Sequence, residues 1–205
     1  MKIRHLGLVA YEPTWRAMQA FNQARGPGTP DEIWMVEHPR VFTLGLAGRR
    51  EHVLAPGDIP VVSTDRGGQV TYHGPGQALG YVLLDLRRNG LGVKALVRRL
   101  EEAAIEVLAE SGIAGEREAG RPGVYVRGEK IAAVGLRIAR GCSYHGLALN
   151  VNLPLEPFSR IDPCGYPGLH STSLAALGVR DSISAVQHRL ARALERQFAA
   201  APVPA

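Results

Sequence analysis

Cysteine is scarce in this sequence: Cys142 and Cys164 are the only two, which excludes a disulfide framework. Long apolar runs are missing as well, because no window approaches about 18 consecutive apolar residues. The N-terminus carries no small-residue cleavage site after an apolar stretch. We therefore expect a cytoplasmic protein without a membrane segment or signal peptide, whose two cysteines are thiols.

Lysine is the second scarce residue, since Lys2, Lys94 and Lys130 are the only lysines among 24 basic residues. A lysine within a motif raises a chemical question here, because lysine can lose its proton and arginine effectively cannot. The net charge of +5 permits an acidic partner. The arginines form no run longer than two and are not interleaved with aromatic residues, so no nucleic-acid-binding stripe is visible.

Apolar periodicity predicts helices over residues 92–112 and 181–198, with Gly112 as a C-terminal cap and Asp181 as an N-cap, and a third over residues 13–24. Predicted strands cover residues 3–8, 32–37, 60–63, 69–72, 79–86 and 143–153, and a hairpin over 123–138 turns at 127–129. Strands arrive in runs instead of alternating with helices. The pattern predicts one α+β domain over residues 1–205, with a mixed or antiparallel sheet flanked by helices.

The stretch DRGGQVTYHGPGQALGYVLLDL, residues 65–86, is rich in glycine. It matches neither the Walker A pattern nor GxGxxG, and a strand instead of a helix follows it. Two tight turns around a short strand would account for the glycines alone. They do not account for Arg66, Tyr72 and His73, which offer a cation, a hydrogen-bond donor and an acid or base. The stretch predicts a loop that contacts a ligand, with the purely structural explanation as the alternative.

Cys164 lies in RIDPCGYPGLHSTSL, between a proline and a glycine, which predicts a thiol on a turn. A nucleophilic thiol needs a nearby base, and His73, His145, His170 and Lys130 are the candidates. Lys130 begins the second strand of the predicted hairpin, beside apolar residues that would partly desolvate its ammonium.

Cys142 begins a strand whose later residues look buried, so we interpret it as a small core residue. Cys142, His145, Cys164 and His170 have side chains that can bind zinc, but their spacing matches no familiar structural site. We therefore predict no metal site.

Four motifs, RGGQVTYHGPGQ, GEKIAAVGLRI, HGLALNVN and IDPCGYPG, follow one another in this order. Together they resemble the lipoyl(octanoyl) transferases over roughly residues 36–174. The resemblance implies the fold of biotin and lipoate protein ligases, and no cofactor. It implies transfer of an octanoyl group from acyl carrier protein to one lysine of a lipoyl domain, in 2-oxoacid dehydrogenase complexes or the glycine cleavage H protein.

The resemblance also implies the site residues. The family's acyl-accepting cysteine corresponds to Cys164, and the lysine that favours its thiolate corresponds to Lys130. The substrate-lining residues correspond to Arg66, Gly67, Gly68, Gln69, Val70, Thr71, Tyr72, His73, Ala133, Val134, Gly135, Gly146, Leu147 and Ala148.

Three other functions remain as alternatives at this stage. An ATP-dependent lipoate or biotin protein ligase would share the fold, but it needs no nucleophilic cysteine, and the IDPCG motif argues against it. A non-enzymatic module would bind an anion through Arg66 and leave Cys164 inert. A hydrolase would pair Cys164 with His145 or His73 and release free octanoate.

Overall fold

A computed structural model describes residues 1–162 and 169–199. Its three helices within this described part are α1 (Tyr11–Ala24), α2 (Val93–Glu110) and α3 (Ile183–Ala199). None of them is long and apolar enough to cross a membrane. The strands are β1 (Lys2–Leu8), β2 (Glu32–Glu37), β3 (Val41–Leu44), β4 (Val61–Ser63), β5 (Val70–His73), β6 (Gln77–Leu83), β7 (Glu116–Glu118), β8 (Arg121–Val126), β9 (Glu129–Ala139) and β10 (Cys142–Asn150).

The large sheet has the order β1-β2-β6-β10-β9-β8-β7, and a smaller sheet has the order β4-β3-β5. In the large sheet β1 and β2 pair in parallel and the other neighbours pair antiparallel. The mixed sheet with flanking helices confirms the predicted α+β class.

The two faces of the large sheet bury different side chains, because residues alternate along each strand. On β2, Ile33 and Met35 join the core that α2 and α3 cover, whereas Trp34 and Val36 join the core that Met18 of α1 covers. A third apolar cluster fills the small sheet. Both faces of the large sheet are therefore covered by helices, which explains why its central strands are apolar on both sides.

Helix α2 ends as its sequence predicts. Gly112 has φ +71°, and its N–H donates to the carbonyl of Ala109. The next N–H, from Ile113, donates to the carbonyl of Leu108. This pair of bonds is a Schellman motif, in which the left-handed position favours glycine.

The N-cap of α3 corrects the prediction. The helix begins at Ile183, so Ser182 occupies the cap, and its hydroxyl accepts the N–H of Ala185 at 3.2 Å. Asp181, the predicted cap, instead forms an ion pair with Arg189. Both residue types are good caps, and the start of the helix selects between them.

Candidate active site

A cavity of about 290 Å³ lies where the glycine-rich loop meets β6, β9 and β10. Thirteen of the fourteen predicted substrate-lining residues line this cavity, and so does Lys130. These predicted residues are Arg66, Gly67, Gly68, Gln69, Val70, Thr71, His73, Lys130, Ala133, Val134, Gly135, Gly146, Leu147 and Ala148. Three segments far apart in sequence are thus brought to one cavity. Cys164 falls outside the described residues.

Tyr72 is the predicted lining residue that the structure places elsewhere among the described residues. Its side chain is 1% exposed, and its ring packs against Phe42 and Phe158 with centroids 5.5 and 5.4 Å away. It fills the core of the small sheet. The sequence places Tyr72 and His73 on opposite sides of β5, and His73 is the one that lines the cavity.

Small residues let the loop approach β9 closely. A Cβ at Gly135 would lie 3.2 Å from Cδ of Arg66 and 3.4 Å from the carbonyl oxygen of Gly67. The N–H of Gly67 donates to the carbonyl of Leu136 at 2.8 Å, so the loop is hydrogen-bonded to this strand. The glycines therefore serve a close backbone approach beside the cavity.

Arg66 fastens the loop to β3. Its side chain is buried, and its guanidinium donates to the hydroxyl and the carbonyl of Thr43 and to the carbonyls of Gly67 and Gln69. These bonds hold the planar guanidinium in one orientation at the cavity wall. That Arg66 contacts an anionic group of a ligand stays a prediction.

His73 is held neutral at the cavity wall. Its Nδ1–H donates to Oε1 of Gln77 at 2.7 Å, because the Gln77 amide nitrogen donates to Asn150 and to the carbonyl of Tyr72. Its Nε2 accepts from the hydroxyl of Thr43 at 3.3 Å. Burial lowers the pKa of His73 to about 3. A histidine with this pKa and both nitrogens engaged is a poor proton acceptor for a thiol.

Asp65 joins helix α1 to strand β10 behind the cavity, and the sequence analysis did not identify it. The carboxylate accepts from Trp15 and Gln19 of α1 at 2.7 and 3.0 Å, from the Tyr144 hydroxyl, and from Nε2 of His145 at 3.1 Å. Burial acts to raise the pKa of Asp65, but these hydrogen bonds lower it below its usual range. Its partners are far away in sequence, so no local pattern marks it.

His145 has φ +62° within β10, an uncommon conformation for a residue with a large side chain. The side chain is buried and lines the cavity. Burial lowers its pKa, although the bond to Asp65 acts in the opposite direction. Strain of this kind persists where surrounding contacts enforce it, and here Asp65 supplies such a contact.

Lys130 is buried at the cavity, with 9% of its surface exposed. Its Nζ donates to the carbonyl of Pro122 at 3.3 Å and lies 5.2 Å from the centre of the Tyr125 ring. Its backbone N–H donates to the carbonyl of His170, and its carbonyl accepts from the N–H of Thr172. The segment that returns from Cys164 is therefore paired with Lys130 itself.

The described residues immediately before Cys164 are also fixed near the loop. The N–H of Asp162 donates to the carbonyl of His52 at 2.8 Å, and the His52 ring bonds to Gln69, which lines the cavity.

Cys142 is buried, and burial raises the pKa of its thiol, which confirms the interpretation as a core residue. Across residues 1–162 and 169–199, no cluster of three or more His, Cys, Asp or Glu side chains is placed to hold a metal.

The fold matches that of the lipoate and biotin protein ligases. A lipoate-protein ligase A bound with ATP aligns with a TM-score of 0.79 at 17% identity, over 97% of this chain and 86% of that one. The biotin protein ligase of Aquifex aeolicus aligns with a TM-score of 0.54 at 13% identity, over 97% of this chain and 69% of that one. At these identities the likeness concerns the fold alone.

Sequence similarity assigns the family. Residues 10–195 match the lipoyl protein ligase A/B catalytic domain, and the chain belongs to this family. The octanoyltransferase of Thiobacillus denitrificans is 59% identical over 194 residues, 95% of this chain and 89% of that one. The octanoyltransferase of Alkalilimnicola ehrlichii is 63% identical over 179 residues, 87% of this chain and 83% of that one.

Proposed function

We propose that this protein is an octanoyltransferase of protein lipoylation, in which Cys164 carries the acyl group and Lys130 handles the proton. The observation that carries the proposal is the position of Lys130. It lies at an apolar cavity and pairs through its backbone with residues 170–172, the segment that follows Cys164. The identity of more than half to octanoyltransferases supports the same reaction.

In the first half-reaction the Cys164 thiolate attacks the carbonyl carbon of octanoyl-acyl carrier protein. A carbon–sulfur bond to Cys164 forms, the bond to the carrier's sulfur breaks, and the carrier thiolate takes a proton from the Lys130 ammonium. One thioester replaces another, so this step is nearly balanced in energy. Backbone N–H groups of the glycine-rich segments would donate to the oxyanion.

In the second half-reaction the lysine of a lipoyl domain attacks the octanoyl-Cys164 thioester. The neutral Lys130 amine accepts a proton from the attacking nitrogen, an amide forms, and Cys164 leaves as a thiolate. Conversion of a thioester to an amide is downhill, so the proposal requires no ATP. Lys130 then returns as the ammonium that stabilises the thiolate for the next cycle.

The cavity suits an eight-carbon chain. Leu79, Val134 and Leu147 supply apolar surface, and Ala133 and Ala148 leave room between them. Burial stabilises by about 0.8 kcal/mol per methylene, so the seven carbons beyond the carbonyl contribute roughly 6 kcal/mol. That is enough to hold the acyl group in place while the two protein partners exchange.

We further propose that both partners, octanoyl-acyl carrier protein and the lipoyl domains of 2-oxoacid dehydrogenase complexes or the glycine cleavage H protein, are acidic. The net charge of +5 would then speed their encounters. We also propose that residues 1–205 act as one catalytic domain in the cytoplasm, where both thiols stay reduced. The family match over residues 10–195 supports the single domain.

The test is the intact mass of the protein after incubation with octanoyl-acyl carrier protein and without ATP. We expect one added octanoyl group in the natural sequence, none in Cys164→Ala, and its removal by a lipoyl domain. An adduct that persists in Cys164→Ala would disprove the thioester. Modification of the lipoyl domain only with ATP and free octanoate would assign the protein to the ligases instead.

Lysine substitutions test the proton transfer. Lys130→Arg keeps the charge but cannot accept a proton, so we expect it to lose transfer while it still folds. Lys94→Arg makes the same change at an exposed lysine of α2, so it is the matched control and should keep most of the activity. Near-normal transfer by Lys130→Arg would exclude the base role, and release of free octanoate by the natural sequence would favour a hydrolase.

A further inference from the structure

Helix α2 buries a carboxylate that the proposed reaction does not use. Glu101 is 5% exposed, and its neighbour Leu100 belongs to the apolar core. Its Oε2 accepts from Nε of Arg117 at 3.1 Å, and its Oε1 accepts from the backbone N–H of Gly123 at 2.9 Å. A carboxylate removed from water in this way must be fully hydrogen-bonded. One of its two oxygens is thus committed to the backbone at the start of β8.

The backbone that Glu101 holds is the backbone that contacts Lys130. Nζ of Lys130 donates to the carbonyl of Pro122, the residue before Gly123. Gly123 has φ +131°, and a Cβ there would lie 3.3 Å from Cε of Lys130 and 2.6 Å from the carbonyl oxygen of Ala132. The lysine side chain therefore lies directly against the peptide segment that Glu101 fixes from the other side.

We propose that Glu101 is a positioning residue for Lys130. Its hydrogen bond to the N–H of Gly123 fixes the Pro122 carbonyl, which in turn holds the Lys130 ammonium at the cavity. This inference rests on the proposed function, because it assigns Glu101 to the proton transfer between Lys130 and Cys164. It predicts that loss of the Glu101 bond displaces the ammonium and reduces the thiolate fraction of Cys164.

A purely structural role is the competing explanation, since Arg117 also bonds to Glu102. Glu102 provides the matched control. It is the next residue on α2, it shares the same arginine, and its side chain is 44% exposed. Glu102 accepts a hydrogen bond from Arg117, whereas Glu101 also accepts one from the peptide beside Lys130. A role in the ion pair alone predicts similar results for both glutamates, and the positioning role does not.

The experiment measures the alkylation rate of Cys164 by iodoacetamide from about pH 5 to 10, in full-length protein with Cys142→Ala. The variants are Glu101→Met, Glu101→Gln, Glu102→Met and Lys130→Met. We expect Glu101→Met and Lys130→Met to raise the pH midpoint of alkylation by roughly one unit. Alkylation near pH 7 should then be about tenfold slower. Glu101→Gln, whose amide oxygen still accepts from Gly123, and Glu102→Met should keep the original midpoint.

An unchanged midpoint in folded Glu101→Met overturns the inference, as does an equal rise in Glu102→Met. If Glu101→Met does not fold, Glu101→Asp decides, because its shorter side chain withdraws the carboxylate by about 1.5 Å. A raised midpoint in Glu101→Asp supports positioning and an unchanged one rejects it. An unchanged midpoint in Lys130→Met would instead refute the proposed pairing of Lys130 with Cys164, on which the inference rests.

Discussion

Two histidines beside the cavity give the folded state a pH dependence that follows from their contacts. Nδ1 of His38 donates to the carbonyl of Val9 at 2.6 Å, so Nε2 accepts from the hydroxyl of Tyr81 at 2.7 Å. His73 is held in the same neutral form between Thr43 and Gln77. Burial lowers the pKa of His38 to about 4 and that of His73 to about 3. Neither ring can be protonated without loss of an accepted hydrogen bond.

The magnitude follows from proton linkage. In the unfolded chain both groups have a pKa of about 6.5, so below that pH the unfolded state binds more protons than the folded state. The stabilising contribution is complete above pH 6.5 and is lost as the pH falls towards the folded pKa values. At pH 5, each histidine lowers the free energy of unfolding by about 2 kcal/mol. This pH lies about 1.5 units below the unfolded pKa, and each pH unit contributes about 1.4 kcal/mol. His38 and His73 together should remove about 4 kcal/mol, a large part of a typical stability of about 5–15 kcal/mol.

Urea unfolding at pH 8, 7, 6 and 5, at fixed ionic strength, measures this loss directly. We expect the free energy of unfolding to stay level from pH 8 to 7 and to fall by at least about 4 kcal/mol at pH 5, because burial lowers the pKa of His145 as well. His38→Gln should reduce the fall by about 2 kcal/mol, because one of the titrating histidines is gone. His188→Gln, which removes an exposed histidine of α3, should keep it in full. A loss below about 1 kcal/mol at pH 5 would refute the neutral assignment of both rings.

Three further predictions concern the cavity, the carboxylate behind it and a helix cap. Gly135→Val should lower octanoyl transfer at least tenfold, since its Cβ would lie 3.2 Å from Cδ of Arg66 and its methyl groups would add bulk at the cavity wall; an unchanged rate of octanoyl transfer from octanoyl-acyl carrier protein would contradict this. Asp65→Ala should cost about 3 kcal/mol in urea unfolding by leaving four donors without their acceptor, and a cost below ~1 kcal/mol would refute its role as a hub. Ser182→Ala should cost about 1 kcal/mol and Asp181→Ala less, because Asp181→Ala removes only a partly exposed ion pair, whereas the reverse order would restore Asp181 as the cap of α3.

The sequence predicts most elements of the fold because hydrophobic periodicity marks them. The hairpin between β8 and β9 turns as predicted, with Arg127 at φ +52° and Gly128 at φ +81°. Two strands escape prediction for opposite reasons. All four residues of β3 are buried, so they show no alternation, and β7 has three residues with little burial. Their pairing is decided by neighbouring strands, which local sequence does not describe.

The candidate site is predictable where backbone geometry dictates the residue type. A Cβ at Gly146 would collide with the carbonyl oxygen of Gly80 at 2.1 Å, and one at Gly135 would crowd Cδ of Arg66 at 3.2 Å. Gly68 has φ +88°, a conformation that favours glycine. The direction of a side chain is harder to predict. Tyr72 belongs to the same motif as His73, yet it packs into the small sheet, and Asp65 acts through partners 46 to 80 residues away. Such contacts exist only once the two sheets and α1 have come together.

One chain of hydrogen bonds connects the glycine loop to the lysine, and it depends on the neutral form of His73. The chain runs through the side chains of Arg66, Thr43, His73, Gln77 and Asn150, in this order, and ends at the backbone carbonyl of Thr172. The N–H of Thr172 then donates to the carbonyl of Lys130 at 3.0 Å. Arg66 donates to Thr43, so the Thr43 hydroxyl must donate to His73, and a protonated ring would have no acceptor for it. Acidification therefore breaks the hydrogen bond between Thr43 and His73. Burial makes the fold acid-sensitive because it keeps His73 neutral, and the same neutral ring keeps the loop and Lys130 in one hydrogen-bonded arrangement.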